Sequence, residues 1–420
     1  MLAYAELDRN GRRLVAAKAV RSFGFGLNAV AFGLYLSELG LPAPLIGLVL
    51  SAALAGSMAL TLVIAVWGDR IGRRRSLVVG SALMLAVGLI PIVGAAPPLL
   101  VVIGLTGMVA VNNHESIGIQ TVDQAVLPQT IADRRRTAAF ALYNVVASAG
   151  AAAGAFAVGP LAGAGEAAGL QGAARYAPAF VGYAGCGLIS ALLLGGLDVR
   201  AEVGTSVRRR FALHRSRRTV AMLSGLFAVD SFATGFIVHS YLAYWFSSRF
   251  DVGDGAIGAM FALGNVLAAG SYLVAAWLAA RIGLIRTMVF THIPANVCLI
   301  AMAVVPALPA AIALFFVRAA LSSMDVPARQ SYTMAVVDAT ERTAAAGVTN
   351  LARGGAQMLG PGIAGAVLVP FGIGLPLVAG GLVKIAYDVA LFALFRRRAT
   401  PEEAAERDIG LAPVQRPPDA

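Results

Sequence analysis

The chain has 420 residues, of which 58% are hydrophobic and only 13% charged, and its mean hydropathy is +0.77. A soluble domain of this length needs far more polar surface, so a water-soluble enzyme or binding module is excluded. The formal charge of +11 would suggest nucleic acid in a soluble protein. Here the basic residues read instead as topology signals and anionic-lipid contacts, and no nucleic-acid partner is expected.

About 20 apolar residues cross a hydrocarbon core of about 30 Å. Twelve such stretches occur, at about 14–38, 44–66, 76–96, 98–127, 137–163, 178–197, 219–247, 252–280, 286–306, 308–338, 343–370 and 372–395. Only helices satisfy the backbone in crossings so long and apolar. The expected fold is therefore an all-α membrane protein with twelve transmembrane helices. Basic residues collect at every second turn: Arg9, Arg12, Arg13 and Lys18; Arg70 to Arg75; Arg134 to Arg136; Arg200 to Arg218; Arg281 and Arg286; Arg329 and Arg342; and Arg396 onward. Arg175 and Arg249 fall in the opposite set of turns. Cytoplasmic turns retain Lys and Arg during insertion, so a multi-pass cell-membrane protein with both termini inside is expected. The basic, then apolar, N-terminus is like a signal peptide, but its apolar run is long and a second span soon follows. It reads as an uncleaved first helix.

In chain order, the first span carries Arg21 about one-third of the way in. The second closes on Gly68-Asp69-Arg70-Ile71-Gly72-Arg73-Arg74-Arg75. Gly72 permits a tight turn between antiparallel helices, and Asp69 can accept hydrogen bonds from a helix N-terminus or pair with an arginine. The fourth span holds Asn112-Asn113-His114-Glu115 near its middle. Neighbours on a helix point about 100° apart, so either protein and cavity surround this stretch or it is locally irregular. Imidazole titrates near neutrality and a low-dielectric medium favours the neutral form of a carboxyl group, which makes His114 and Glu115 the first candidates for proton binding. The fifth span contains Gly159-Pro160, where a missing backbone hydrogen bond favours a hinge. Residues 198–218 form an Arg-rich connection.

The seventh span carries Asp230. In the tenth, Arg318 and Asp325 are seven apart and share a face, continued by Arg329. Arg318 is expected to neutralise Asp230 or Asp325, or else to bind an anionic substrate group. The eleventh has Gly360-Pro361, a second candidate hinge, and the twelfth has Lys384 and Asp388 at helical spacing, expected to neutralise each other. His239 and His292 read as isolated packing residues. Trp67, Trp245 and Trp277 fall near span ends, where indole favours the interface. Residues 399–420 have the composition of a disordered tail.

The chain repeats itself. Arg21-Ser22-Phe23 with Gly26 recurs as Asp230-Ser231-Phe232 with Gly235; Arg70-Ile71-Gly72 recurs as Arg281-Ile282-Gly283; Arg136-Thr137-Ala138 with Asn144 and Gly154 recurs as Arg342-Thr343-Ala344 with Asn350 and Gly360. The offsets are nearly equal. They imply two six-helix bundles in parallel orientation, 1–197 and 219–398, with a site between them near the midplane. By this repeat Gly360 aligns with Gly154, not Gly159. Arg21 and Asp230 become mates at equal depth, which either meet each other or find partners within their own halves.

The loop at Asp69, Arg70, Gly72, Arg74 and Arg75 resembles the signature G-x-x-x-D-R-x-G-R-R of the major facilitator superfamily, with Ala65 in place of the leading Gly. With the twelve spans and the repeat, the resemblance covers about residues 10–397. It implies that the loop latches the cytoplasmic face in the outward-open state. The second copy lacks the Asp, so the latch is expected to be asymmetric. The Gly-Pro segments are similar to the kink of the superfamily's drug–proton antiporters.

No G-x-x-x-x-G-K-[ST] occurs, and neither Lys18 nor Lys384 follows a Gly. ATP hydrolysis, cofactors and a metal site are therefore not expected, since the His and Cys residues are scattered. The expected function is secondary active transport of small organic molecules by a monomer, driven by protons and directed outward. The alternatives are an importer or uniporter of a sugar, organic acid or similar metabolite, and a transport-inactive membrane sensor or scaffold. Glu115, Asp230, His114, Asn113, Arg21, Arg318 and Asp325 are the candidates for proton or substrate contact.

Overall fold

The computed structural model describes residues 7–93, 96–111, 117–130, 136–197, 215–338 and 341–396. Every regular element in them is helical, and eleven helices are long and apolar enough to cross a membrane. The first half comprises α1 (Arg9–Glu38), α2 (Ala43–Ile71), α3 (Arg73–Val93), α4 (Pro97–Leu105), α5 (Ile117–Val126), α6 (Arg136–Ala167) and α7 (Ala177–Gly195). The second comprises α8 (Arg217–Gly235), α9 (His239–Phe250), α10 (Asp254–Ile282), α11 (Leu284–Val304), α12 (Leu308–Ser322), α13 (Asp325–Ala335), α14 (Arg342–Gln357), α15 (Gly360–Ile363) and α16 (Leu375–Phe395). Four expected spans are not single helices: the fourth divides into α4 and α5, the seventh into α8 and α9, the tenth into α12 and α13, and the eleventh into α14 and α15.

Local chemistry explains the starts and breaks. Asp8 caps α1, its carboxylate accepting from the Gly11 amide at 2.7 Å. Gly72 (φ 94°) and its repeat mate Gly283 (φ 87°) make the tight turns after α2 and α10, as the sequence predicts. α4 ends at Thr106-Gly107, where Gly107 takes φ 73°. The backbone beyond it would be orphaned in lipid. It is held instead by side chains: Asn28 accepts from the Ala110 amide at 2.9 Å, and Tyr183 donates to the Met108 carbonyl. Large apolar side chains such as Leu192, Val304, Phe290 and Val389 face outward, as a lipid-facing surface requires.

The repeat is visible in packing. A Cβ on Gly26 or Gly154 would collide with the Ala151 or Phe23 carbonyl, so α1 and α6 touch backbone to backbone. The mates repeat this between α8 and α14–α15, with Gly235 against Gln357 and Gly360 against Phe232. The two Gly-Pro segments differ. α6 continues as one helix through Gly159-Pro160, whereas the chain breaks at Met358–Leu359, restarts at Gly360 and passes through a π turn over Ala364–Leu368. Trp245 corrects the expectation of an interfacial indole: it is fully buried against Phe246 and Phe250, while Trp277 is exposed beneath Arg281.

Candidate functional site

A cavity of about 790 Å³ lies between the two halves. Its walls are the parts of α1, α6, α10, α12 and α13 nearer the face that carries the starts of α1 and α8: Lys18 and Ser22, Asn144 and Ser148, Phe261, Asn265 and Tyr272, Phe315, Arg318 and Gln330. Toward the opposite face the halves touch and close it. Gly33 meets the Ser240 carbonyl, Gly159 meets Gly255, and Gly47 meets the Pro361 carbonyl, each too close for a Cβ. The Ser240 amide donates to Val111 at 3.1 Å and its hydroxyl to Ala29 at 2.8 Å. Over this plug, Arg175 bonds Glu38 (2.8 Å), Glu166 (2.9 Å) and Asp254 (3.2 Å), and the Tyr176 hydroxyl donates to Asp254 at 2.9 Å. Asp254 opens α10, so this cluster bridges the halves.

Charge is buried in both halves. Arg21 pairs with Asp123 of α5, which also accepts from the Tyr143 hydroxyl at 2.7 Å. Asp230 receives Lys384 Nζ at 2.6 Å, with Arg329 at 3.7 Å and His292 at 3.9 Å. Around it, Asp325 takes Arg329 at 2.6 Å, Asp388 takes His292 Nδ1 at 2.9 Å and Asn296 at 3.3 Å, and Arg353 donates to Ser231 at 3.1 Å. Four helical segments, α8, α11, α13 and α16, thus meet at one carboxylate. The offset that relates Arg136 to Arg342 also relates Asp123 to Arg329. The first half therefore holds Arg21–Asp123 where the second holds Asp230–Arg329, with the signs exchanged.

Several expectations change. Arg21 and Asp230 each find partners within their own half. Lys384 and Asp388 do not neutralise each other: Lys384 reaches across to Asp230 and Thr234, and Asp388 takes His292. The reason is that a pair on one helix competes poorly with a desolvated partner on the next. His292 is consequently part of the network rather than isolated, and His239 lines the cavity. Arg318 neutralises neither Asp230 nor Asp325, because Lys384 and Arg329 occupy those carboxylates. Arg74 donates to the Gly195 carbonyl at the end of α7, within its own half, and Arg75 is exposed. Asp69 and Arg70 end α2, but their side chains lie outside the described residues, as do Asn113, His114 and Glu115 entirely. Asp123 and Arg353 were missed. Asp123 was findable, since the repeat makes it the mate of Arg329.

The model of the Major Facilitator Superfamily matches residues 14–318. The chain belongs to the Major Facilitator Superfamily. As a superfamily member it is a multi-pass membrane transporter and not an enzyme. Over 424 aligned residues it is 26% identical to an uncharacterized membrane protein of Saccharomyces cerevisiae, YJR124C, covering 92% of this chain and 94% of that protein. The crystal structure of the nucleoside transporter NupG superposes with a TM-score of 0.71 at 11% identity, covering 92% of this chain and 99% of that one. A bacterial homolog of the human lysosomal transporter Spinster, in an inward-facing and occupied conformation, gives 0.69 at 16% identity, covering 92% and 96%. These likenesses concern the fold.

Proposed function

We propose that this chain is a secondary transporter that carries small organic molecules by alternating access and couples export to protons. The observation that carries this reading is the 790 Å³ cavity between the halves, walled on one side and plugged on the other by direct contact between them. A volume of this size suits one metabolite-sized or drug-sized molecule. The distribution of arginine puts the cavity's face in the cytoplasm, so the conformation is inward-facing. The loop of Asp69, Arg70, Gly72, Arg74 and Arg75 closes the cytoplasmic face when the halves rock. Gly159-Pro160 and Gly360-Pro361 are the places where α6 and the α14–α15 segment yield during rocking.

Coupling is assigned to the buried carboxylates. A proton on Asp230 removes the charge that holds Lys384, Arg329 and His292 around it, which loosens α8 from α13 and α16. Glu115 and His114 are the corresponding candidates in the first half. The test is efflux from proteoliposomes driven by an imposed pH gradient. Glu115→Gln is expected to abolish pH-driven efflux without lowering expression, and undiminished efflux discards that assignment. A second reading, passage of an organic acid or similar metabolite without proton coupling, is favoured by one observation: among the described residues, Arg318 on the cavity wall has no carboxylate partner. Uptake that a protonophore leaves unchanged would select it.

A further inference from the structure

We infer that the cavity binds a small organic anion, with the acidic group on Arg318 and the apolar part against Phe261 and Phe315. The inference rests on the cavity being the transport site proposed above. Arg318 lies about ten residues into α12, or about 15 Å along it at 1.5 Å per residue, which is half of a hydrocarbon core of about 30 Å. A cation at that depth is costly unless paired. Three buried cations have carboxylate partners, Arg21 with Asp123, Lys384 with Asp230 and Arg329 with Asp325, and Arg353 has the Ser231 hydroxyl. Among the described residues Arg318 has no such carboxylate, and its Nε is buried without a hydrogen-bond partner.

The rest of the wall has the same sign. Among the described lining residues none is acidic, while Lys18 and Arg318 are basic. Phe315 precedes Arg318 by three residues and therefore shares its helix face. Phe315 and Phe261 stand 5.3 Å apart between ring centres and, both nearly buried, give the cavity wall that Arg318 shares an apolar backing. Asn265 and Gln330 add neutral hydrogen-bonding groups. A planar guanidinium presents a fork of donors that matches a carboxylate or phosphate in two parallel bonds. A cationic fork next to aromatic surface, in a cavity of metabolite size, selects an anion with an apolar body over the corresponding amine or amide.

The experiment uses the purified full-length chain in detergent at neutral pH and follows thermal stabilisation. The probes are benzoate, phenyl phosphate and a short aliphatic carboxylate, set against benzamide and benzylamine. The anions are expected to stabilise the protein in a concentration-dependent way, the neutral and cationic analogues at least tenfold more weakly. The benzoate and phenyl phosphate arms separate a carboxylate from a phosphate ester as the preferred group. Arg318→Gln should weaken anion binding at least tenfold and leave benzamide unchanged, and Arg318→Lys should lose less. Since an unpaired charge leaves the core, ligand-free Arg318→Gln should unfold at the same temperature as the parent or higher. Equal binding of benzamide and benzoate, no binding of any anion, or a less stable ligand-free Arg318→Gln would overturn the inference. In the last case the guanidinium serves an internal partner. Anion binding without counterflow in proteoliposomes would instead sink the transport reading and leave this one standing.

Discussion

Removing the charge of Asp230 and removing the charge of Lys384 are expected to have unequal costs. The two are 2.6 Å apart and both buried. At an effective dielectric of about 20, unit charges about 4 Å apart attract by about 4 kcal/mol. Desolvation offsets much of that in the intact pair, but breaking a buried pair from one side strands the other charge, at about 3–5 kcal/mol. Asp230→Asn preserves shape and leaves Lys384 with the neutral Thr234 hydroxyl at 2.7 Å, so its cost falls at the upper end. Lys384→Met leaves Asp230 with Arg329 at 3.7 Å and His292 at 3.9 Å, so its cost falls at or below the lower end, about 3 kcal/mol. The double variant removes one charge of each sign. Arg329–Asp325 and His292–Asp388 remain intact, and the double variant should be more stable than Asp230→Asn alone. Scanning fluorimetry of the purified protein, read from its tryptophans, gives the order of midpoints: parent highest, then Lys384→Met, with Asp230→Asn lowest. A double variant less stable than Asp230→Asn, or a Lys384→Met as damaging as Asp230→Asn, would refute the assignment of Asp230 as the hub.

The remaining predictions are narrower. Gly154→Ala and Gly26→Ala should each prevent accumulation of folded protein, because the new methyl meets a backbone carbonyl that cannot swing aside; Gly163→Ala, with nothing within 4 Å, should be tolerated. Size-exclusion profiles of detergent extracts distinguish these outcomes. Asp254→Ala removes the contacts of Arg175 and Tyr176 that join the halves over the plug. Such partly exposed pairs are worth about 0–1 kcal/mol, so the closed state should lose at most about fivefold in population. Alkylation of a cysteine placed at the cavity-lining Ala268, by a membrane-impermeant reagent added at the plugged face, should accelerate by that factor, and a rate unchanged from the parent would show that the glycine contacts alone close this face.

The sequence by itself determined the class of fold, because hydropathy and the phase of the arginines are local properties that lipid and water act on directly. Twenty apolar residues in a row have one solution in a bilayer, and Gly72 and Gly283 mark their turns by the backbone angles they alone tolerate. The duplication was equally legible, and with it the charge-exchanged mates Arg21–Asp123 and Asp230–Arg329, had Asp123 been carried through the offset. What the tertiary structure decided was pairing. Lys384 looked satisfied by Asp388 four residues on and instead holds Asp230. His292 looked solitary and holds Asp388, and Arg318, expected to neutralise Asp230 or Asp325 or else to bind an anionic substrate group, was left facing the cavity. A charge buried in apolar surroundings takes the partner that packing brings closest, and that distance is set by how helices far apart in the chain cross. The cavity and the plugged face belong to the same category, since they are properties of two halves in contact and no stretch of either half contains them.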